Sequence, residues 1–209
     1  KFRVFLEALI LAVLIILIGF LIGFYTESYR TNKIISNYKS FEIGALDLRL
    51  QNYYYQIMNQ ASCDKVIEQN FVFADKIYKE GLAIEYSERS NELTQDILLE
   101  KKRYVLLDTE LWLNSILLKD KCNSPFHTII YMYSQNPNMQ KDAEQNSISN
   151  TLKEVKEKMG NSVILIPIAA DIGLDSVEMQ MSIYNITYLP SILIDEKTKL
   201  EGYHSAEEI

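Results

Sequence analysis

The sequence predicts a chain in three parts: a transmembrane helix at residues 1–25, an α-helical stalk and antiparallel hairpin at residues 26–122, and an α/β domain at residues 123–209. Three observations lead to this fold class. Residues 8–24 form an apolar run without charge. Residues 26–121 contain no proline and carry apolar side chains at helical spacing. After Pro125, β-rich runs alternate with helical patterns, as in α/β folds.

The apolar run is long enough for a retained membrane anchor. From Val4 to Tyr25 it covers 22 residues, or about 33 Å of helix, against a hydrocarbon core of about 30 Å. A cleaved signal peptide is the alternative, but such a peptide has a shorter apolar core and a small-residue cleavage site, which "GFYTES" lacks. The expected first partner is therefore the lipid bilayer.

Two cysteines flank the predicted helical hairpin. Its helices run over about residues 62–87 and 91–121, so Cys63 and Cys122 lie together at its open end. A disulfide there would close a loop of about 60 residues and stabilise the fold by about 4 kcal/mol. Two unrelated thiols and a redox-active pair are the alternatives. Disulfides persist in oxidising compartments, so a disulfide predicts that the soluble domains are extracytoplasmic. Together with the apolar run, this predicts a single-pass membrane protein with a cytoplasmic N-terminus.

The C-terminal part has the predicted element order βαβαββα. "FHTIIYMY" and "NSVILIPIAAD" are typical of buried strands, and the helical stretch between them ends at Gly160. "DSVEMQMSIYN" is a short helix in which Asp175 and Glu178 form a capping box. "SILIDEKTKLEGY" predicts two strands joined by a polar turn, and "SAEE" predicts the start of a further helix.

This order resembles the thioredoxin-like fold over about residues 124–209. The most specific piece, "YNITYLPSILID", is similar to the helix end, loop and cis-proline that precede the third strand of that family. The resemblance implies that Pro190 is the cis-proline beside the active site. "YMYSQNP" is similar to the first strand and the active-site turn, and Pro137 matches the proline of a C-P-x-C motif. The two cysteine positions of that motif hold Asn136 and Met139.

The resemblance thus implies a membrane-anchored thioredoxin-like protein that lacks the CxxC motif. Neither Asn136 nor Met139 can form a thiolate, so no catalytic residue is assigned. In active relatives, backbone beside the cis-proline pairs with an extended peptide, and this ability can outlast the chemistry. The alternative is a purely architectural role for Pro190. The implied degenerate active site and peptide-binding site comprises Asn136, Pro137, Met139, Tyr188, Leu189 and Pro190.

The composition excludes several function classes. A net charge of -7 argues against nucleic acid as a partner, because phosphate binding requires clustered Lys and Arg. There is no Walker loop and no Cys/His cluster, so neither a metal nor a cofactor is expected. Asp171 and Asp175 are interpreted as solvated surface and a cap rather than a catalytic pair. Asn185, in the only N-x-[ST] triplet, is interpreted as a helix-end residue rather than a glycosylation site.

Together these inferences predict a non-catalytic accessory or assembly subunit. It would bind another membrane or extracytoplasmic protein at the outer face of the membrane. Two alternatives stay open. One is a thiol–disulfide oxidoreductase that uses Cys63 and Cys122, and the other is a purely structural stalk that oligomerises through its helical region.

Overall fold

The chain divides into two units, residues 1–47 and residues 48–209. A computed structural model describes residues 9–25, 46–47, 49, 63–90, 95–122 and 126–209. In the first unit, residues 9–25 are helical (α1), and their side chains are exposed. Apart from residues 46, 47 and 49, the predicted stalk before Cys63 lies outside the described residues.

The predicted transmembrane helix is not supported by the structure. Within the described residues, no helix is both long enough and apolar enough to cross a membrane. The prediction of a membrane helix at residues 1–25 is therefore wrong, and so is the single-pass membrane localisation drawn from it.

The second unit is mainly helical and contains one small sheet. Because the predicted fold class included a transmembrane helix, it is corrected to a mixed fold in which helices predominate over a four-stranded sheet. The helices are α2 (Cys63–Ser90), α3 (Gln95–Cys122), α4 (Met139–Met159) and α5 (Asp175–Ile183), with a 3-10 turn at Gly160–Ser162. The strands are β1 (His127–Tyr133), β2 (Val163–Ala169), β3 (Ser191–Ile194) and β4 (Thr198–Glu201).

The sheet has the strand order β2-β1-β3-β4. Strands β1 and β2 are parallel, with His127 opposite Val163, whereas β1 and β3 are antiparallel, with Met132 opposite Ser191. Strands β3 and β4 are also antiparallel. This register places the C-terminal end of β1 beside the first residue of β3, so the segments that follow β1 and precede β3 meet at one end of the sheet.

Helices cover both faces of the sheet. On one face, Ile129 and Tyr131 of β1 belong to a buried cluster with Ile148, Leu152 and Val155 of α4. Side chains alternate along a strand, so the intervening residues of β1 face the other side, where α3 packs on β1 and β2. Three fully buried side chains belong to this second layer: Ile130, Met132 and Trp112.

The helical hairpin is closed at its open end by a disulfide. Cys63 and Cys122 are bonded, with their Cα atoms 5.7 Å apart and a sequence separation of 59. Farther along the hairpin, the Asn70 side-chain amide donates a hydrogen bond of 3.2 Å to Ser115 Oγ in the buried interface between α2 and α3. The disulfide therefore joins the first residue of α2 to the last residue of α3, and these two ends lie side by side because the helices are antiparallel.

Two helix ends differ from the predicted ones. Helix α5 has Leu174 as its N-cap, and the Leu174 carbonyl accepts the N–H of Val177 at 2.9 Å, so Asp175 is the first helical residue and not the cap. At the C-terminus, Glu208 accepts hydrogen bonds from the backbone N–H and hydroxyl of Ser205, as a capping box does, but the residues form a turn and not a helix.

Candidate functional site

The turn after β1 is held in one shape by buried and acidic side chains. Ser134 Oγ donates to one carboxylate oxygen of Asp171 at 2.5 Å, and the Gln135 N–H donates to the other at 2.6 Å. The Gln145 side chain accepts the N–H of Ser134 at 2.8 Å and donates to its carbonyl at 3.2 Å. Asp171 follows β2, so it ties two neighbouring strand ends together. The interpretation of Asp171 as solvated surface missed this function.

The residues of the turn that replace the two cysteines are open to solvent. Asn136 is exposed, Pro137 is half-buried and the Met139 side chain is 91% exposed. Asn138 is the N-cap of α4, and its side-chain oxygen accepts the N–H of Lys141 at 2.9 Å. The turn thus has the form of a capped helix start and presents an apolar, flexible thioether where a thiol would stand.

The loop before β3 carries the other three residues of the predicted site. The peptide bond between Leu189 and Pro190 is cis, the isomer that the resemblance implies. Pro190 is buried and its carbonyl accepts the Gly202 N–H at 3.0 Å, while Ser191 Oγ donates to the Tyr188 carbonyl at 2.5 Å. Neither the N–H nor the carbonyl of Leu189 has a hydrogen-bond partner among the described residues.

The turn and this loop are neighbours. The Lys141 ammonium, in the first turn of α4, lies 5.3 Å from the centroid of the Tyr188 ring. The pairing of Met132 with Ser191 brings the two connecting segments to the same end of the sheet. The two segments that carry the six residues of the predicted degenerate site, about fifty residues apart in the sequence, therefore lie at the same end of the sheet.

The disulfide lies at the opposite end of the sheet. Lys119, three residues before Cys122, donates from its ammonium to Thr128 Oγ1 at 2.6 Å, near the start of β1. The same ammonium reaches Asp195 at 3.1 Å and Glu196 at 2.6 Å in the turn between β3 and β4. The two cysteines of the chain therefore share no surface with the turn at Asn136.

The polar network around Lys119 attaches α3 to the β3–β4 turn. Glu196 accepts hydrogen bonds from Trp112 Nε1 at 2.9 Å and from Thr128 Oγ1 at 2.7 Å. Partial burial acts to raise the pKa of Asp195, but hydrogen bonds from His127, the Thr128 N–H and Lys119 outweigh it and lower the pKa to about 2. The Asp195 carboxylate is thus held in its ionised form beside the Lys119 ammonium.

A second feature is a cavity of about 290 Å³ between the hairpin, the β1–β2 edge of the sheet and α4. Tyr104 of α3 lines it, and within the described residues the buried Tyr104 hydroxyl lies beside the Asp108 carboxyl, which interacts with it. Burial raises the pKa of Tyr104 well above its usual range, and burial likewise raises the pKa of Asp108, one turn later on α3. No sequence pattern indicated this cavity, because its walls come from five elements: α2, α3, β1 with the turn after it, α4 and β2.

The described histidines and cysteines lie in pairs and do not form a metal-binding group. Across the described ranges, no group of three or more His, Cys, Asp or Glu side chains is arranged to hold a metal ion. The two histidines each pair with one acid, His127 with Asp195 at 2.6 Å and His204 with Glu208 at 3.8 Å. Comparison of the sequence with protein-family models and with curated proteins finds no match.

Proposed function

We propose that the protein is a non-catalytic, thioredoxin-like binding protein, an accessory or assembly subunit that holds an extended segment of a partner protein beside Leu189. The observation that carries this proposal is the backbone of Leu189, whose N–H and carbonyl have no hydrogen-bond partner among the described residues. Unpaired backbone groups at the end of a strand are what a strand-forming peptide pairs with.

Two further observations support the thioredoxin-like interpretation. The strand order is β2-β1-β3-β4, in which β3 is antiparallel to β1 and β4 is antiparallel to β3. This arrangement is consistent with the element order on which the resemblance to the thioredoxin-like fold is based. Pro190 directly precedes β3 and stands beside the turn that starts α4. With Asn136 and Met139 in that turn, the site has no sulfur nucleophile, so it can bind a peptide but not exchange a disulfide with it.

The chemistry of the partner segment follows from the surrounding side chains. Met139 is almost fully exposed, and Tyr188, the neighbour of Leu189 in the sequence, is 40% exposed, so both offer apolar surface at this end of the sheet. A thioether adapts to different shapes, and a tyrosine offers an apolar ring with a hydroxyl at its end. We therefore expect the bound segment to be extended and to place apolar side chains on both sides of its paired residue.

A peptide-display selection tests this proposal. The oxidised protein is used to select binders from a random peptide library, and the dissociation constant of a selected peptide is measured for variants. We expect Met139→Asp and Leu189→Pro to weaken binding at least tenfold, because one introduces a charge and the other removes the backbone donor. The matched control is Met179→Asp, on the exposed surface of α5, which is expected to bind as the parent does.

A second arm separates strand pairing from simple apolar contact. Methylation of alternate backbone nitrogens of the selected peptide removes donors without removing side chains. Strand pairing predicts that methylation at one residue in every two abolishes binding. The proposal is wrong if no peptide is enriched, or if the enriched peptides bind Met139→Asp and Leu189→Pro as tightly as the parent protein.

A further inference from the structure

We propose that the cavity between the helical hairpin and α4 receives an aromatic side chain of the partner segment that binds beside Leu189. This inference rests on the proposed peptide-binding function and names the chemistry of a second contact. The cavity and the candidate site share the turn after β1. Ser134 and Pro137 line the cavity, whereas Asn136 and Met139 are exposed to solvent. The cavity is thus an extension of the candidate site.

The start of α4 lies between the cavity and the loop that carries Leu189. The Lys141 ammonium is 5.3 Å from the centroid of the Tyr188 ring, and the next residue, Asp142, lines the cavity. Successive side chains of a helix point about 100° apart, and a helix with its side chains is about 10 Å wide. An extended chain advances about 3.3 Å per residue. A segment that crosses the start of α4, past the exposed Met139 side chain, therefore needs about three residues to reach the cavity.

The walls of the cavity suit an aromatic ring. Apolar and aromatic side chains from three elements contribute to them, namely Tyr78, Tyr131, Tyr133, Leu165 and Pro167. The rings of Tyr131 and Tyr133 are stacked, with their centroids 5.5 Å apart and their planes inclined by 25°. Aromatic side chains pack on such rings in offset or edge-to-face arrangements. The volume of about 290 Å³ lies just below the range of roughly 300–1,000 Å³ for drug-sized ligands, so it suits a single side chain.

Lys153 of α4 supplies a cation to the same cavity. It belongs to the lining, and it has no hydrogen bond, ion pair or ring contact within the described residues. Another wall already shows a contact between a cation and a ring, because the Lys101 ammonium lies 5.3 Å from the centroid of the Tyr133 ring. A cation over an aromatic face is attracted by the quadrupole of the ring. An inserted aromatic side chain therefore gives Lys153 a partner, which an aliphatic side chain does not.

The test uses peptides selected by display on the full, oxidised chain. Backbone methylation locates the residue of a selected peptide that pairs with Leu189. We expect the enriched peptides to carry an aromatic residue roughly two to four positions from the paired residue. Replacing this aromatic residue by Ala should weaken binding to the parent protein by about tenfold or more, because a buried aromatic side chain is removed. Cyclohexylalanine keeps the size of the ring and removes its π-system, so it should weaken binding about threefold.

Variants of α4 assign this contact to the cavity. Ser149 lines the cavity, so Ser149→Trp fills it and should bind the aromatic peptide no more tightly than the parent binds the Ala peptide. Ser147→Trp, at an exposed position of the same helix outside the lining, is the matched control and should bind as the parent does. Lys153→Met should bind the aromatic and the cyclohexylalanine peptides equally.

The outcomes distinguish this inference from the proposed function. Suppose that peptides are enriched and that Met139→Asp weakens them, but that they lack the aromatic residue or bind Ser149→Trp as tightly as the parent. The cavity inference is then wrong and the proposed function stands. If no peptide is enriched, both are wrong. Circular dichroism checks that Ser149→Trp is folded; if it is not, the Ala and cyclohexylalanine peptides decide with the parent protein alone.

Discussion

Lys119 is the single side chain on which the attachment of α3 to the β3–β4 turn most depends. Its ammonium contacts Asp195 and Glu196, and the side chain is only 17% exposed. Lys119→Met keeps the aliphatic stem but leaves two partly buried carboxylates without their cation. We expect the free energy of unfolding to fall by about 2 kcal/mol, as for other partly buried ion pairs that lose one partner. Urea denaturation followed by circular dichroism measures the change.

The control for this experiment is Lys158→Met. Lys158 forms an exposed ion pair with Glu154 one turn earlier on α4, at 3.0 Å. Exposed pairs of this kind contribute less than about 0.5 kcal/mol. Equal effects of the two substitutions would show that burial around Lys119 adds nothing to its stabilising effect.

The lowered pKa of Asp195 gives stability a defined dependence on pH. The folded-state pKa is about 2, below the usual value of about 3.9 in an unfolded chain. The stabilisation by the ionised carboxylate is therefore fully present above about pH 5 and decreases between about pH 4 and pH 2. Stability measured against pH for the parent and for Asp195→Asn should show a gap that narrows over this window. A gap of constant size would contradict the assignment.

At the scale of elements, the hairpin of α2 and α3 depends on its disulfide. The bond joins residues separated by 59 positions, and closing a loop of that length restricts the unfolded chain by about 4 kcal/mol in the loop-entropy description. Replacing Cys63 and Cys122 together by Ser should lower the free energy of unfolding by about that amount, measured with urea against the oxidised parent. A loss below about 1 kcal/mol would mean that the packing of α2 on α3 holds the hairpin together and that the disulfide adds little to its stability.

The elements also show which features a sequence reveals. The end of α4 was predicted from Gly160, which has a positive φ of 55°. The cap at its start, where Asn138 accepts the N–H of Lys141 three residues ahead, was not identified. The hydrogen bond from Ser134 to Asp171 was not predictable, because the two residues are 37 positions apart in the sequence. The capping box assigned to Asp175 failed since a backbone carbonyl, that of Leu174, supplies the same bonds. Among the long-range contacts, only the Cys63–Cys122 disulfide was predicted, because the two cysteines flank the helical hairpin.

At the scale of the whole molecule, the position of the sulfur atoms bears on the oxidoreductase alternative. Both cysteines are in the disulfide, and the disulfide end of the hairpin adjoins the start of β1, away from the turn at Asn136. We expect no turnover in an insulin-reduction assay with dithiothreitol, at any protein concentration that gives a rate for an active thioredoxin. Turnover that disappears in Cys63→Ser would restore the alternative and contradict the binding function.

The β3–β4 turn adopts a backbone conformation that is unfavourable for its own residues. Asp195 and Glu196 have φ angles of 49° and 59°, a region that Gly and Asn occupy at lower cost. Replacing Asp195 and Glu196 by Asn-Gly would give the turn residues that adopt this conformation at lower cost. The same replacement would remove the carboxylates that bind Trp112 and Lys119. Selection on the turn alone and selection on the helix attachment therefore act in opposite directions. Among descendants of this chain, changes at Glu196 and Lys119 should consequently arise together rather than one at a time.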